Sequence, residues 1–404
     1  MPHVSQRAID APPSPMRKLS PFAEAAKAKG VDVIHLNIGQ PDIEAPEQFW
    51  QALQAKRPRV LEYTHASGNA SLRKKTRELY QRDLGVALEE HELIVTTAGS
   101  EAISFAMMAC CNEGDEIIVP EPMYANYLGF ACVAGVKIVA IPTRIEDDFA
   151  LPSAEQFAER ITPRTKAILI CNPSNPTGTV YLKDQLEALR DICLKHDLFL
   201  IADEVYREFN YTEAAIPSVL QLEGLQNHAV MVDSVSKRYS LCGARLGFLV
   251  SKNAEVMRGA STFAQARLSP PALAQIGVEG AEDASREYFE TVRREYMRRR
   301  DVLVGRLTKM DGVLCPSIEG AFYAMVRLPI DDSDRFCQWM LESFSHEGRT
   351  VMMAPGTGFY SDRNSGLDQV RIAYVLNVDR LELAMDALEH ALSVYPGRKV
   401  ASSV

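Results

Sequence analysis

From about residue 46 to residue 280 the chain alternates short apolar runs with amphipathic stretches of helical period. That order predicts an α/β fold built on a mainly parallel sheet covered by helices on both faces. The apolar runs are Leu93–Thr97, Glu116–Val119, Lys137–Ile141, Ala167–Cys171, Leu198–Ala202, Ala229–Val232 and Leu246–Val250, so seven strands are expected. In such sheets ligands collect beyond the carboxyl ends of the strands. The residues just after each run are therefore the candidates for chemistry.

The flanking regions differ. Pro12, Pro13, Pro15 and Pro21 break any early helix, and Ser14 to Pro21 reads as an extended arm laid on another surface. A short helix, Phe22 to Lys29, precedes an expected strand, Val31 to Asn37, which delivers the turn holding Gly39. That glycine either lets backbone approach a ligand or is an ordinary turn residue. Beyond about residue 280, Ser285 to Leu307 has helical period and carries Arg293, Arg294, Arg298, Arg299 and Arg300; a solvated helix joining two domains explains it better than a nucleic-acid patch. Short strands are expected at Phe322–Val326, Thr350–Met353 and Gln369–Tyr374, the last with Arg371 among apolar neighbours, and a final helix at Asp379–Leu392. The expected division is an arm at 1–45 packing with a small C-terminal domain at 285–404, and a large domain at 46–284. A length of 404 residues, 47% of them apolar, suits about two domains.

Composition excludes several classes. A net charge of −9 argues against a nucleic-acid-binding surface. The segment Met1–Arg7 lacks the apolar core of a signal peptide, and no apolar run is long enough to span a membrane. The eight cysteines, Cys110 and Cys111 adjacent among them, show no Cys-x-x-Cys spacing; they suit a reduced cytoplasmic protein without a metal site.

The strand ends carry the chemistry. The segment Met231 to Gly247 sets Lys237 among Ser234 and Ser236, with Arg245 eight positions later. A lysine held nearly still in its neutral form makes a Schiff base with an aldehyde, and the hydroxyls with a fixed positive charge suit a phosphate. An ordinary loop lysine explains this short string equally well. Ala98-Gly99-Ser100-Glu101 opens a helix whose free N–H groups make either an anion site or a plain serine cap. Tyr124 either stacks on a flat ring or packs for stability. Asn172 to Gly178 holds Asn175 in a rigid turn. Asp203 ends an apolar strand, where a carboxylate is costly unless it meets a cation, and Tyr206 is placed to donate to a phenolate oxygen. A metal-binding Asp203–Glu204 pair is the competing reading, and it lacks a histidine cluster. Together these residues ask for a ligand with a phosphate, a flat ring, a basic ring nitrogen, a phenolic oxygen and an aldehyde, which is pyridoxal phosphate.

With those residues in view, the chain resembles the pyridoxal-phosphate-dependent aminotransferases of the aspartate aminotransferase fold, class I and II branch. The likeness runs from Asn37 to Asn377 and is most specific at Asn172–Gly178 and Ser234–Gly247. The resemblance implies the fold-type-I architecture, a large sheet domain with a smaller α+β domain. It also implies roles: Lys237 holds the cofactor and moves the substrate proton, Asp203 pairs with the ring nitrogen, and Tyr206 and Asn175 hydrogen-bond the ring oxygen. Gly99, Ser100, Ser234 and Arg245 form the phosphate cradle, Glu101 is a further cofactor-binding residue, and Tyr124 stacks on the ring. Arg371 grips the substrate α-carboxylate, a task suited to its planar fork, with Gly39 and Asn175 beside it. Tyr63, ahead of Gly68-Asn69-Ala70-Ser71-Leu72-Arg73, matches a tyrosine that reaches the cofactor phosphate of a second subunit, which implies a homodimer with shared sites. The implied activity is a two-step exchange between an amino acid and a 2-oxo acid, in cytoplasmic amino-acid metabolism, with neither nucleic acid nor membrane as partner. The same fold and cofactor also support lyases of the C–S or aminocyclopropane-carboxylate-synthase kind. A regulator that senses the cofactor would carry a DNA-binding domain in front. A second cation for an acidic substrate side chain can come from Arg17, Lys18 or Arg363. Cys242 and the spacing of Pro316 to Tyr323 depart from the family pattern.

Overall fold

The computed structural model describes residues 2–14 and 16–399; Met1, Pro15 and residues 400–404, which fall in the predicted arm and C-terminal domain, lie outside them. Among the described residues twelve strands occur in chain order: β1 (Asp32–His35), β2 (Leu93–Thr96), β3 (Glu116–Glu121), β4 (Lys137–Pro142), β5 (Thr165–Cys171), β6 (Phe199–Asp203), β7 (Ala229–Ser234), β8 (Gly247–Val250), β9 (Tyr323–Arg327), β10 (Arg349–Met352), β11 (Ala354–Pro355) and β12 (Gln369–Ala373). The seven expected runs form one sheet in the order β2-β8-β7-β6-β5-β3-β4. Its pairs are parallel except those of β8, which runs antiparallel to both β2 and β7.

The two-residue period of the strands sorts their side chains into two apolar layers. Val119, Leu169, Ile201, Val232 and Leu249 face one way, with Ala102, Ile103 and Ala106 of the helix Ala98–Cys110 packed among them. Ile118, Ile168, Leu200, Met231 and Phe248 face the other, against Leu186, Leu189 and Ile192 of the helix Lys183–His196. Both faces are therefore dry, as the continuous apolar runs require. Strands β6 and β7 run one and two residues past their apolar stretches. Asp203 stays in register opposite Cys171 on one side and Val232 on the other. This holds polar groups rigidly at the rim.

Two smaller sheets accompany the large one. β1 pairs in parallel with β10, so a strand from the N-terminal region joins one from near the C-terminus. β9, β12 and β11 form an antiparallel sheet with β12 in its centre. The helix Arg286–Leu307 buries Tyr296, Leu303 and Leu307. One of its arginines departs from the solvated reading: Arg299 is sunk beside Glu295 and Asp42, 2.8 and 2.6 Å away.

The N-terminal segment is also less extended than its prolines suggest. A short helix, Gln6–Asp10, capped by Ser5, ends before Pro12. A 3-10 turn, Arg17–Leu19, leads straight into the helix Ser20–Ala28. Pro21 sits in the first turn of that helix, where its missing N–H would have had no partner anyway. Arg7 lies 3.6 Å from Glu113, next to the sheet, and Lys18 pairs with Asp334 on the helix Ser333–Glu342. The segment thus straps across the molecule. No described helix is long and apolar enough to cross a membrane.

Candidate active site

Beyond the carboxyl ends of β5, β6 and β7 lies a cavity of about 810 Å³. Eleven of the thirteen residues singled out above line it: Gly39, Gly99, Ser100, Tyr124, Asn175, Asp203, Tyr206, Ser234, Lys237, Arg245 and Arg371. They come from eight separate stretches of chain, and the topology brings them to one place.

Lys237 projects from the one-turn helix Val235–Arg238 that follows β7. Ser234 caps this turn by accepting the Ser236 N–H at 3.2 Å. Behind it Asp233 accepts from Tyr80 Oη at 2.8 Å, from Arg207 at 2.9 Å and from Arg238 at 2.6 Å. Burial alone would raise the Asp233 pKa, but Arg238 and Arg207 hold it below the ordinary value, so the charged network that fixes the turn persists. The lysine Nζ donates to Gly39 O at 2.6 Å and lies 3.7 Å from Cys242 Sγ. Burial lowers its pKa, with Arg371 and Arg245 adding to the effect and Cys242 opposing it. Its neutral, nucleophilic form is favoured accordingly. Gly39 is required by space: a Cβ there would overlap the Tyr323 hydroxyl.

Asp203 is 6% exposed and accepts from Tyr127 Oη at 2.8 Å and from the Val205 N–H at 3.4 Å. Burial pushes its pKa up to about 6. Glu204, next in sequence, turns to the opposite side of the strand and is held there by Ser218 Oγ at 2.9 Å and Arg207 at 3.0 Å. The two carboxylates therefore do not form a pair. Tyr206 Oη lies 2.9 Å from Tyr323 Oη and accepts from Asn175 Nδ2 at 3.3 Å.

Arg371 is 2% exposed in the central strand of its sheet. It donates to Asn175 Oδ1 at 2.9 Å and to Asn37 O at 2.7 Å, and its Nη2 lies 3.2 Å from Met16 Sδ. The rings of Tyr323 and Phe359 flank the guanidinium at 4.5 and 4.8 Å. Among the described residues its Nε has no hydrogen-bond partner. A buried fork with no carboxylate beside it is a site for one.

Two predicted residues stand elsewhere. Glu101 does not reach the cavity: its carboxylate accepts the Thr97 N–H at 2.7 Å and faces Arg267 at 3.4 Å, so it closes the start of its own helix. Tyr63 is 82% exposed on a separate loop and does not line this cavity. Of the candidate second cations, Arg17 lines the cavity, Lys18 is held by Asp334, and Arg363 lies outside. Tyr127, Tyr323 and Phe359 are functional neighbours that the sequence reading passed over. Tyr127 follows Tyr124 by one helical turn and was open to detection as its same-face neighbour. Tyr323 and Phe359 arrive from distant elements and carry no local signal.

The donor set fits pyridoxal phosphate on this structure's own terms. Asp203 is a buried carboxylate without a cation, which a protonated ring nitrogen would supply. Gly99 and Ser100 open a 13-residue helix whose first N–H groups lack internal partners, with the Arg245 side chain on the same cavity. Lys237 offers an amine on the same cavity that an aldehyde could take.

An α/β fold with this cavity defines the class: an enzyme that uses pyridoxal phosphate. Residues 31–388 match the sequence model of the family described as "Aminotransferase class I and II", and the chain belongs to that family. It is 30% identical to the aspartate aminotransferase of Bacillus subtilis over 96% of this chain and 98% of that protein. It is 31% identical to aromatic-amino-acid aminotransferase 2 of Thermococcus litoralis over 94% and 96% of the two chains. A solved mutant of Thermus thermophilus aspartate aminotransferase superposes with a TM-score of 0.88 at 30% identity, covering 97% of this chain and 100% of that one. The protein is a pyridoxal-phosphate-dependent aminotransferase.

Proposed function

We propose that the Lys237 cavity is where the amino group moves between an α-amino acid and a 2-oxo acid. The observation that carries this reading is the pair of unmet buried charges on one cavity: Asp203 without a cation and Arg371 without an anion, with Lys237 beside them. Bound pyridoxal phosphate supplies an aldehyde and a protonated ring that accepts the electron pair from the substrate α carbon.

The chain's own residues do the rest. Asp203 keeps the ring nitrogen protonated, and Tyr127 holds the carboxylate in place. Tyr206 and Asn175 donate toward the ring oxygen. The N-terminal end of the helix Ala98–Cys110, with Ser234 and Arg245, holds the phosphate, and Tyr124 covers the ring face. Arg371 takes the α-carboxylate in its fork while Asn175 Oδ1 and Asn37 O hold the guanidinium from behind. Lys237 Nζ, its basicity reduced by burial, would take the proton from the substrate α carbon and hold it for return. Positioning is the main contribution, and a well-placed acid–base group of this sort is worth about 10²–10⁴ in rate.

The active unit is proposed to be a homodimer in the cytoplasm. Tyr63 at 82%, Val60 at 68% and Leu61 at 58% exposure support a second copy covering that loop and taking Tyr63 to its own cofactor. All eight cysteines are free, which suits a reducing compartment. We also propose the division into an arm at 1–45, a large domain at 46–284 and a small domain at 285–404; the β1–β10 pairing supports the link between arm and small domain.

The test is a panel of amino acids added to the holoenzyme, scored by loss of the visible absorbance of the bound cofactor and by the 2-oxo acid formed. At least one donor is expected to bleach the absorbance and yield its 2-oxo acid, and Lys237→Ala is expected to fold yet lose both absorbance and turnover. A panel without responders, or an active Lys237→Ala protein, would refute the reading; ammonia and pyruvate from a cysteine conjugate, with no amine kept on the enzyme, would indicate a lyase.

A further inference from the structure

The relatives named above act on acidic and on aromatic amino acids, so their names leave the substrate side chain open, whereas the charges lining the cavity bear on it. Among the described residues, four cationic side chains line it, Arg17, Lys237, Arg245 and Arg371, against one carboxylate, Asp203. On the reading above, Arg245 answers the phosphate, Lys237 the aldehyde and Arg371 the α-carboxylate, while the ring nitrogen answers Asp203. Arg17 is then left without a task. Arg17 is the lining cation to which that reading assigns no partner, and a second carboxylate on the ligand would supply one.

The placement of Arg17 supports that use. It lies in the 3-10 turn Arg17–Leu19, immediately after Met16, whose Sδ is 3.2 Å from Arg371 Nη2. Arg17 is therefore next in sequence to a residue that touches Arg371, and both arginines line the same cavity. Its neighbour Lys18 is committed to Asp334, which fixes this turn, whereas Arg17 makes no ion pair among the described residues. Among the other lining residues, Ile103, Phe130 and Val133 are apolar and offer no competing charge.

We propose that Arg17 determines specificity by binding the side-chain carboxylate of a dicarboxylic amino acid and of its 2-oxo acid. The inference rests on the proposed function of the Lys237 cavity. Arg17 touches the substrate's far end and takes no part in the proton transfer, so its loss is a matter of binding, not of chemistry.

The experiment compares wild-type holoenzyme with Arg17→Gln and Arg17→Lys. The bound cofactor's visible spectrum is titrated with succinate, an unreactive dicarboxylate, and with propionate, its monocarboxylate counterpart. For Arg17→Gln the succinate Kd is expected to rise about tenfold, the size of one charge-assisted hydrogen bond lost in a partly solvated site, with propionate unchanged. KM for 2-oxoglutarate should rise with kcat nearly constant, KM for pyruvate should stay put, and Arg17→Lys should recover most of the succinate binding. Equal weakening of both acids would show that the turn matters only as packing and would overturn the proposal; so would no change in either. If the wild-type protein responds to no amino acid, the reading of the cavity itself fails, which is a separate result from an active enzyme indifferent to Arg17.

Discussion

Removing the Asp203 charge should make the cofactor-free protein more stable while destroying its use. The carboxyl has an ordinary pKa of 3.8, and burial in the cavity pushes it up to about 6. At about 1.4 kcal/mol per pH unit, ionising it inside the empty cavity costs about 3 kcal/mol relative to the unfolded chain. The sign follows from proton counting. Between pH 4 and 6 the folded apoprotein holds a proton that the unfolded chain has released, so stability falls as pH rises through that window and stays lower above it. In Asp203→Asn the amide oxygen can still accept from Tyr127, now 2.8 Å from the carboxylate, so packing is preserved and the ionisation cost disappears. The assay is denaturant unfolding of both apoproteins from pH 4 to pH 8. The expected difference is near zero at pH 4 and grows to about 3 kcal/mol in favour of Asp203→Asn above pH 7. Adding pyridoxal phosphate should reverse the order, because the wild-type carboxylate then meets a cation and the variant cannot. A difference that stays flat across the titration would refute the claim that an unmet charge is stored at this strand end.

Two further outcomes follow from the same bookkeeping of buried charge. Arg371→Lys keeps a cation but loses the planar fork held by Asn175 and Asn37, so KM for every amino acid should rise by about 10²-fold, measured by steady-state kinetics on donors with and without a second carboxylate. Glu282 is buried, accepts from Thr76 Oγ1 at 2.6 Å through one oxygen only, and has its pKa pushed up to about 8 by burial. The folded chain therefore keeps a proton there from pH 4.5 to 8 that the unfolded chain loses, and Glu282→Gln should be more stable at pH 9 by up to about 5 kcal/mol and no different at pH 4 in thermal unfolding.

The large sheet was legible because its strands, apart from the half-exposed edge strand β4, are buried on both faces, and a strand in that position must be written as an unbroken apolar run. The strand-end residues were legible for a related reason. Asp203 ends such a run and Lys237 lies in the turn just after another, and a polar group at either point faces the one open side of the sheet. What the sequence left out is contact between elements far apart in the chain. Tyr323 stacks on Arg371 and meets Tyr206 because β9 pairs with β12 and the small sheet folds over the cavity, a consequence of tertiary packing that no local pattern encodes. The same holds for Glu101, whose place in a Gly-Ser-Glu string suggested a cofactor-binding residue, whereas Arg267, distant in sequence, shares its carboxylate with the Thr97 N–H. The N-terminal segment shows the limit from the other side. Its prolines argued for an extended arm, yet Pro21 occupies a helix's first turn, where proline is no obstacle. The resulting turn fixes Lys18 on Asp334 and leaves Arg17 on the cavity, so the segment that local rules described least well supplies the charge on which substrate choice is proposed to depend.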